Sequence, residues 1–414
     1  MVRKKRILWA AVIALGFLIL SYFLSNIPFS IKGEKMLLRE VELVKNYFGK
    51  KENRTVDSVL FVNVTYDKVM LPVTNAYGRP IGHSPVTDRQ KLLRMLQFLK
   101  EKVDADSTYY KFILLDVFFA EGMETEWDSA LFATIASMPR IIVPSHEDIA
   151  LADSSLMGKS GLASFHESFW VYGFTKYPDY WKAEKTLPVK MYEEMTGRRF
   201  KKFGPFYSDG WRLANGSEFL PLDITANTAF DDNRKRIWYN LGVNLLDDSI
   251  PELNGRGDSS LFKTTELTKD KYIVVGSFQG DDMVSTFKGL LSGAVVNYDA
   301  FCSLMKGRHR ISFSFALSLY ASFFLVSFLI LNEGKKREMI TMVRGKKGLF
   351  WRVAWFLLCP LFKYPLILHV CFVFLYLAFD RVFEVLLIST AFYFLSIIVK
   401  FKNQIQTWQE EESK

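Results

Sequence analysis

The chain contains little cysteine and little histidine for its length. Its 414 residues include three cysteines, Cys302, Cys359 and Cys371, and five scattered histidines. Three cysteines cannot form a disulfide framework, and no short cysteine or histidine spacing indicates a metal site. The long mixed segment between residues 29 and 310 must therefore be stabilised by an ordinary hydrophobic core, for which its length is sufficient.

Motifs for phosphate binding and nucleophilic catalysis are also missing. Residues 276–280 read GSFQG, but the Lys-Ser or Lys-Thr pair of a phosphate loop does not follow. Neither Ser160 nor Ser292 is accompanied by an ordered acid and base. The net charge of +9 comes largely from basic residues beside apolar runs, so it does not indicate nucleic acid as a partner. We expect no cofactor, no enzymatic activity and no nucleic-acid partner.

What the chain does have is four strongly apolar runs, one near the N-terminus and three after residue 310. Residues 7–25 carry no charge and are long enough for a helix to cross about 30 Å of hydrocarbon. Four basic residues, at positions 3 to 6, precede this run and favour a cytoplasmic start. A cleaved signal peptide has a similar basic start, but this run is long and no small-residue cleavage site follows it. The pattern favours a membrane anchor.

The three later runs fit the same topology. Residues 311–331 are uncharged, and six basic residues follow in the next short loop, which therefore belongs to the cytoplasmic side. The apolar region 350–379 is interrupted by an arginine, a lysine and two prolines. This pattern predicts an interfacial segment followed by a span, not one straight helix. The last run returns the chain to Lys400 and Lys402, again on the basic side.

The sequence therefore predicts a multi-pass protein of the inner (cytoplasmic) membrane, with its large domain on the periplasmic or extracellular side. The predicted segments are a cytoplasmic N-terminus (1–6), transmembrane helix 1 (7–28), an extracytoplasmic domain (29–310), transmembrane helix 2 (311–331), a cytoplasmic basic loop with an interfacial segment (332–360), transmembrane helix 3 (361–379), transmembrane helix 4 (382–399) and a cytoplasmic tail (400–414).

One ionisable residue, His369, lies near the middle of a predicted span. Such residues mark proton paths or interhelical hydrogen bonds. Because the neighbouring spans offer no obvious acidic partner, the sequence favours packing.

Apolar, β-branched runs alternate with helical patterns in the predicted outer domain. This alternation predicts right-handed crossovers and an α/β fold with a mixed, mainly parallel sheet flanked by helices. Residues 293–305 are predicted to form a helix that leads past Gly307 straight into the second span. Another helix is predicted to start at Thr87 as its N-cap and a further one to cover residues 127–138, while strands are predicted at 58–64, 111–118, 140–143, 169–174, 237–241 and 272–276.

Two carboxylates follow predicted strands, at the position where parallel sheets form ligand crevices. Asp116 comes at the end of one strand, and Asp282 lies in the turn after another. We predict a shared ligand crevice formed by Asp116, Gly276, Gly280, Asp282, Ser285 and Thr286. The alternative is that Asp116 caps the helix region around Asp128 or the loop that follows, and that the two glycines simply permit turn geometry.

Three stretches of the outer domain carry a resemblance to a known family. They are SVLFVNVTYD, then TDRQKLLRMLQFL with KFILLDVFF and EWDSALFATI, and finally KYIVVGSFQGDDMVSTFKGLLSGAVVNYDAF. Together with one span before and three after, they resemble the type-two CHASE domain, an extracytoplasmic sensory module of bacterial adenylate cyclases, histidine kinases and related receptors. Asn63 departs from the family, which often has an aspartate near this position.

The resemblance implies a sensor that binds a ligand or an envelope protein and that works as a homodimer. A receptor of this kind would carry its output domain after the last span, but only 14 residues follow Lys400, too few for a catalytic domain. We therefore expect a membrane-anchored sensor-like protein that signals through its spans to a separate, unknown membrane or envelope protein. Two alternatives are a structural scaffold of a cell-envelope complex and an envelope hydrolase that uses Asp116 and Asp282 as paired carboxylates.

Overall fold

The computed structural model describes residues 2–27, 32–48, 58–74, 80–163, 175–220, 223, 238–246, 266–333, 349–381 and 383–412. The predicted strand at 169–174 and most of the predicted cytoplasmic loop at 332–360 lie outside these residues. The chain divides into two compact units. We call them the helical unit, made of Met1–Phe48, Lys202–Phe219 and Arg308–Lys414, and the sheet unit, made of Gly49–Lys201 and Leu220–Gly307.

Helices and strands of both units are numbered in chain order. The α-helices are α1 (Val2–Ser25), α2 (Lys32–Phe48), α3 (Arg89–Ala105), α4 (Asp128–Ser137), α5 (Leu187–Thr196), α6 (Gly293–Met305), α7 (Phe313–Glu333), α8 (Leu349–Phe379) and α9 (Val385–Glu412). The strands are β1 (Val59–Asn63), β2 (Lys68–Thr74), β3 (Pro80–Thr87), β4 (Phe112–Leu115), β5 (Ile141–Ser145), β6 (Ser160–Leu162), β7 (Lys176–Pro178), β8 (Tyr180–Trp181), β9 (Glu184–Lys185), β10 (Phe200–Phe203), β11 (Phe206–Asp209), β12 (Arg212–Ala214), β13 (Ser217–Phe219), β14 (Trp238–Asn240), β15 (Tyr272–Gly276), β16 (Met283–Thr286) and β17 (Gly289–Ser292).

A six-stranded sheet with the order β14-β1-β15-β4-β5-β6 forms the centre of the sheet unit. All its pairings are parallel, with Phe61 beside Val274, Val274 beside Leu114, and Ile113 beside Ile141. Its central strands are buried apolar runs, as expected for a parallel sheet covered on both faces. The predicted α/β fold with a mainly parallel sheet is confirmed.

The predicted elements of the sheet agree closely with those observed. Strand β15 and helix α6 have the predicted bounds, and β1, β4, β5 and β14 lie within one to three residues of them. The predicted N-cap of α3 is wrong. Thr87 pairs with Lys68 in the β2–β3 hairpin, and the Asp88 side chain accepts a hydrogen bond from Lys91 N at 3.1 Å. Asp88 is a strong N-cap residue for the same physical reason as threonine.

Among the residues that the structure describes, three helices of the helical unit are long and apolar enough to cross a membrane. Their spanning segments are Lys4–Ser25, Phe313–Asn332 and Val385–Asn403. In α8 the apolar segment Lys363–Phe379 is shorter. These helices indicate a membrane protein.

Helix α8 runs without a break from Leu349 to Phe379 through Pro360 and Pro365, so the predicted interfacial segment and the predicted third span belong to one helix. Proline removes one backbone donor but is tolerated in apolar bundles, where neighbouring helices and local adjustments compensate for it.

Aromatic rings join the four long helices of this unit. Phe17 of α1 stacks on Phe392 of α9 with ring centroids 3.8 Å apart, and Phe323 of α7 lies 5.8 Å from Phe392. Phe383 contacts both Phe323 and Phe372 of α8 at 5.7 Å. Because all of these rings except Phe17 are almost fully buried, the high phenylalanine content fills the bundle interior as well as its outer surface.

Helix α2 was not predicted, and it changes the surroundings of His369. It packs on α8 and α9, and Glu40 Oε2 lies 3.5 Å from His369 Nε2. The prediction for His369 was based on the spans alone, and its acidic neighbour instead comes from α2, which was not predicted.

Helix α2 also contacts the start of α9. The buried carboxylate of Glu34, on α2, accepts a hydrogen bond from Leu386 N at 2.7 Å.

The expected continuity of α6 with the second span is wrong. Helix α6 ends at Met305, and α7 begins at Phe313. Between them Gly307 has a φ of 71°, the left-handed conformation with which helices commonly end.

Strand β15 and helix α6 approach each other closely at Gly276. A Cβ atom on Gly276 would lie 2.6 Å from Ala294 Cβ and 3.6 Å from Asp116 Cβ. The absence of a side chain therefore allows α6 to pack beside the end of β15.

We predict that Gly276→Ala destabilises the sheet unit by about 1–3 kcal/mol, because the new methyl group overpacks this contact. Thermal unfolding of the full-length protein in detergent measures the effect. Gly82→Ala is the matched control, since nothing lies within 4 Å of the Cβ it would add. Adding Ala294→Gly to Gly276→Ala should restore much of the lost stability. A Gly276→Ala variant as stable as the control would contradict the proposed steric constraint.

Candidate ligand-binding site

A cavity of about 480 Å³ lies at the carboxyl ends of the parallel strands in the sheet unit. Residues that follow five adjacent strands line it: Val64 after β1, Ser277 after β15, Asp116 after β4, His146 after β5 and Ala163 after β6. Its size is typical of small-molecule sites, and its position is where parallel sheets form them. The remaining lining residues come from the β2–β3 hairpin, the starts of α3 and α6, the segments after β4 and β15, strand β16, Pro144 of β5 and Tyr177 of β7.

The Asp116 carboxylate is positioned by a chain of buried polar groups. Its backbone N–H donates to Val275 O at 2.8 Å, which extends the β4–β15 pairing by one residue. Asn297 Nδ2 of α6 donates to Asp116 Oδ2 at 3.3 Å, and Tyr177 Oη donates to Asn297 Oδ1 at 2.5 Å. Because Tyr177 and Asn297 are buried, this chain fixes the orientation of Asn297 and, through it, of the carboxylate.

Asp116 and Asp282 form an interacting acidic pair on the cavity wall. Burial, and then repulsion from Asp282, raise the pKa of Asp116 to about 7, although the Asn297 hydrogen bond acts in the opposite direction. Asp282 remains open to solvent at the cavity mouth, but the protein atoms around it raise its pKa to about 6, against the attraction of Lys68. Together the two carboxyl groups hold protons that ordinary aspartates lose near pH 4.

Two cationic side chains share the cavity with this acidic pair. Lys68 Nζ donates to Thr87 Oγ1 at 3.1 Å, and burial and the nearby Arg89 lower its pKa. Arg89 is buried, with Nε 3.6 Å from Asp128 Oδ1 and its guanidinium 4.3 Å from the centre of the Phe119 ring. Arg89 Nη1 is also buried and has no hydrogen-bond partner among the described residues. The cavity thus offers both acceptors and donors.

Of the six predicted site residues, Asp116 and Asp282 line the cavity, and the other four do not. Gly276 allows α6 to pack against β15, and Gly280, with a φ of 84°, forms the turn before β16. Ser285 pairs with Leu290 in the β16–β17 hairpin. Thr286 closes that hairpin, because its hydroxyl donates to Gly289 O at 2.7 Å. For Gly280 the structure agrees with the alternative of turn geometry, whereas Gly276 has a packing role that neither interpretation predicted.

Several residues of the site were not predicted from the sequence. Lys68, Arg89, His146, Tyr177 and Asn297 all line the cavity. Arg89 and Asn297 lie within predicted helices at positions whose apolar neighbours pack into the core, so their polarity was a usable signal. Tyr177 lies in the tract between Ser145 and Asp270, where little of the sequence resembles the family pattern, and nothing in the sequence indicates its role.

Asn63, which lies near the position where type-two CHASE domains often have an aspartate, has a structural role. Its Nδ2 donates to Asn240 Oδ1 at 2.7 Å, and its Oδ1 accepts from Thr65 Oγ1 at 2.6 Å and from Phe278 N at 3.3 Å. These bonds connect the ends of β1, β14 and β15. An amide can both donate and accept at this position, whereas an ionised carboxylate could only accept.

No family model, no curated protein and no solved structure matches the chain. The site is therefore interpreted from its own geometry.

The raised pKa of Asp116 predicts a pH dependence of stability. The folded state keeps this proton up to about pH 7, whereas an unfolded aspartate loses it near pH 4, so the folded state binds more protons between these values. The stability of the sheet unit should therefore fall as the pH rises through this window. Asp116→Asn should remove this loss and raise the melting temperature at pH 8 by roughly 2–4 °C relative to the wild type.

Melting curves of the full-length protein between about pH 5 and pH 8 measure this effect. Asp104→Asn on the exposed surface of α3 is the matched control, and its melting temperature should change with pH as that of the wild type does. If the melting temperature of Asp116→Asn also changes with pH as that of the wild type does, Asp116 is ionised throughout this range and the account of its environment is wrong.

Proposed function

We propose that this chain is a membrane-anchored sensor-like protein whose sheet unit binds a small polar ligand in the cavity beside Asp116 and Asp282. The observation that carries the proposal is the meeting of these two carboxyl groups with Lys68 and Arg89 in one cavity at the carboxyl edge of a parallel sheet. A desolvated carboxyl group, an oriented amide and a buried guanidinium without a full set of partners are costly for stability, and such groups are typical of binding sites.

The proposed ligand carries groups of both polarities. The acidic pair favours an ammonium group or hydroxyl groups, because either would donate hydrogen bonds and an ammonium group would also reduce the repulsion between the two carboxylates. Lys68 and Arg89 favour a carboxylate or another acceptor. We favour an organic ligand over a metal ion, because the described residues include no cluster of three or more metal-binding side chains.

The membrane arrangement of the proposal has four spans, with α8 as the third of them. The sheet unit lies on the extracytoplasmic side, as expected from the basic residues around α1 and after α7. Signalling passes to a separate membrane or envelope protein through the spans. Since α6 and α7 are separate helices, their covalent connection is the short non-helical segment 306–312. The resemblance to type-two CHASE domains and the six-stranded parallel sheet support this sensory interpretation.

A ligand screen by thermal unfolding tests the proposed function. Full-length protein in detergent is incubated with amines, amino acids, sugars, polyols and carboxylates. We expect at least one class to stabilise the wild type, by about 2.7 kcal/mol at a concentration 100-fold above its Kd. The stabilisation should be lost in Asp282→Asn and in Lys68→Gln, which alter solvent-accessible side chains of the cavity and should not prevent folding.

Lys182→Gln is the matched control, because Lys182 is an exposed cation of the same unit that pairs with Glu147 outside the cavity. It should respond to the ligand as the wild type does. If no class stabilises the wild type, or if the cavity variants respond equally, the ligand-binding function is wrong. Recovery of the same membrane partner with wild type and cavity variants would then favour the scaffold function.

A further inference from the structure

The helical unit contains an exposed aromatic surface outside its helices. This surface, which we call the aromatic patch, consists of Phe203, Phe206, Trp211 and Leu213 on the strands and turns between β10 and β12. Their side chains are 54%, 39%, 87% and 42% exposed. Soluble surfaces seldom concentrate large apolar side chains in this way, and such patches mark interaction sites.

Hydrogen bonds attach the β11–β12 hairpin to the end of the first candidate span. Tyr22 Oη of α1 donates to Ala214 O at 3.2 Å and accepts from Tyr207 N at 3.2 Å. One turn later, Asn26 Oδ1 accepts from Gly216 N at 2.7 Å, and Ser25 O accepts from Ser217 Oγ at 2.6 Å. The hairpin is therefore held at the level where α1 ends.

The same hairpin is also attached to the start of the second candidate span. Ile311 N donates to Leu213 O at 3.0 Å, and Asn215 N donates to His309 O at 2.8 Å. The buried Asp209 carboxylate accepts from Arg310 Nε at 2.5 Å and lies 3.1 Å from His309 Nε2. Two residues after Ile311, α7 begins with Phe313, which is 82% exposed. The hairpin thus bridges the ends of two spans that lie on the same side of the bundle.

The aromatic patch is continuous with the outer surface of α1. Phe206 stacks on Tyr22 with ring centroids 5.8 Å apart, lies 6.0 Å from Phe23 and lies 6.0 Å from Phe203. Phe23 is itself partly exposed on the spanning helix. The surface that faces lipid on α1 therefore extends without interruption onto the hairpin.

The exposed charged residues of the segment that carries the patch, residues 202–214, are basic. Lys202 and Arg212 are exposed, and Arg212 lies over the Trp211 ring at 5.1 Å. The one acidic residue between positions 202 and 214 is Asp209, which is buried. Aromatic rings beside basic residues match the boundary between acyl chains and headgroups, where rings bury their apolar faces and cations meet lipid phosphates.

We propose that the aromatic patch is a membrane-contact surface that inserts into the headgroup region of the bilayer around the ends of α1 and α7, with Lys202 and Arg212 binding lipid phosphate groups. The hairpin then fixes the ends of the two spans relative to the membrane surface. This proposal does not depend on the cavity or on a sensory function.

Tryptophan quenching in liposomes tests the proposal. Full-length wild type and Trp211→Phe are reconstituted into phosphatidylcholine vesicles, with and without phosphatidylglycerol, and the difference between their emission spectra isolates Trp211. Lipids brominated near the headgroup should quench this component more strongly than lipids brominated near the chain end, and aqueous iodide should quench it weakly. The headgroup quenching should increase with phosphatidylglycerol. Trp127→Phe is the matched control, because it removes a tryptophan outside the patch. Its difference spectra show how much quenching arises from a tryptophan that is not part of the proposed contact.

A second variant tests the charge contribution. In Lys202→Gln/Arg212→Gln, quenching of Trp211 by lipids brominated near the headgroup should no longer increase with phosphatidylglycerol. An increase that persists would overturn the assigned role of the two cations. Two results for Trp211 would overturn the membrane contact itself. The first is strong quenching by iodide without quenching by bromine, which means that the side chain is in water. The second is protection from both quenchers, which means that a second copy or another protein covers the patch.

Discussion

The close approach of β15 and α6 is the constraint on which the candidate site depends. Because Gly276 has no side chain, α6 packs against the carboxyl end of β15 and brings Asn297 within hydrogen-bond distance of Asp116. Tyr177 then fixes the amide from the other side. A larger residue at position 276 would push α6 away from the sheet, and the amide would no longer orient the carboxylate. One steric requirement in the core therefore determines the geometry of a polar group on the cavity wall.

The cavity combines groups that individually destabilise the folded state. Asp116 and Asp282 repel each other in surroundings that disfavour their ionised forms, and Arg89 is a buried cation that Asp128 only partly compensates. Structural ion pairs usually satisfy both partners, because an uncompensated charge in the protein interior is costly. A ligand with groups of both polarities would complete these interactions, and for this reason we interpret the cavity as a binding site instead of a packing defect.

Much of the fold could be predicted from the sequence, because buried parallel strands and spanning helices have distinctive apolar patterns. The bounds of β15 and α6 were predicted correctly, and the placement of Asp116 and Asp282 at strand ends followed from the predicted topology. The contribution of Tyr177 could not be predicted, because it depends on a short strand in a tract without periodicity. The patterns also failed where tertiary packing decides the outcome, as in the separation of α6 from α7.

The central claim is that Asp116 is a desolvated carboxyl group that interacts with Asp282 at the edge of the sheet. Infrared difference spectroscopy of the full-length protein in lipid bilayers tests this claim directly, because a protonated carboxyl group has a carbonyl stretching band that a carboxylate lacks. We expect a component of this band that titrates with a pKa of about 7, that is lost in Asp116→Asn and that shifts to a lower pKa in Asp282→Asn. A band that is unchanged in Asp116→Asn, or that disappears near pH 4 as for an ordinary aspartate, would contradict the account.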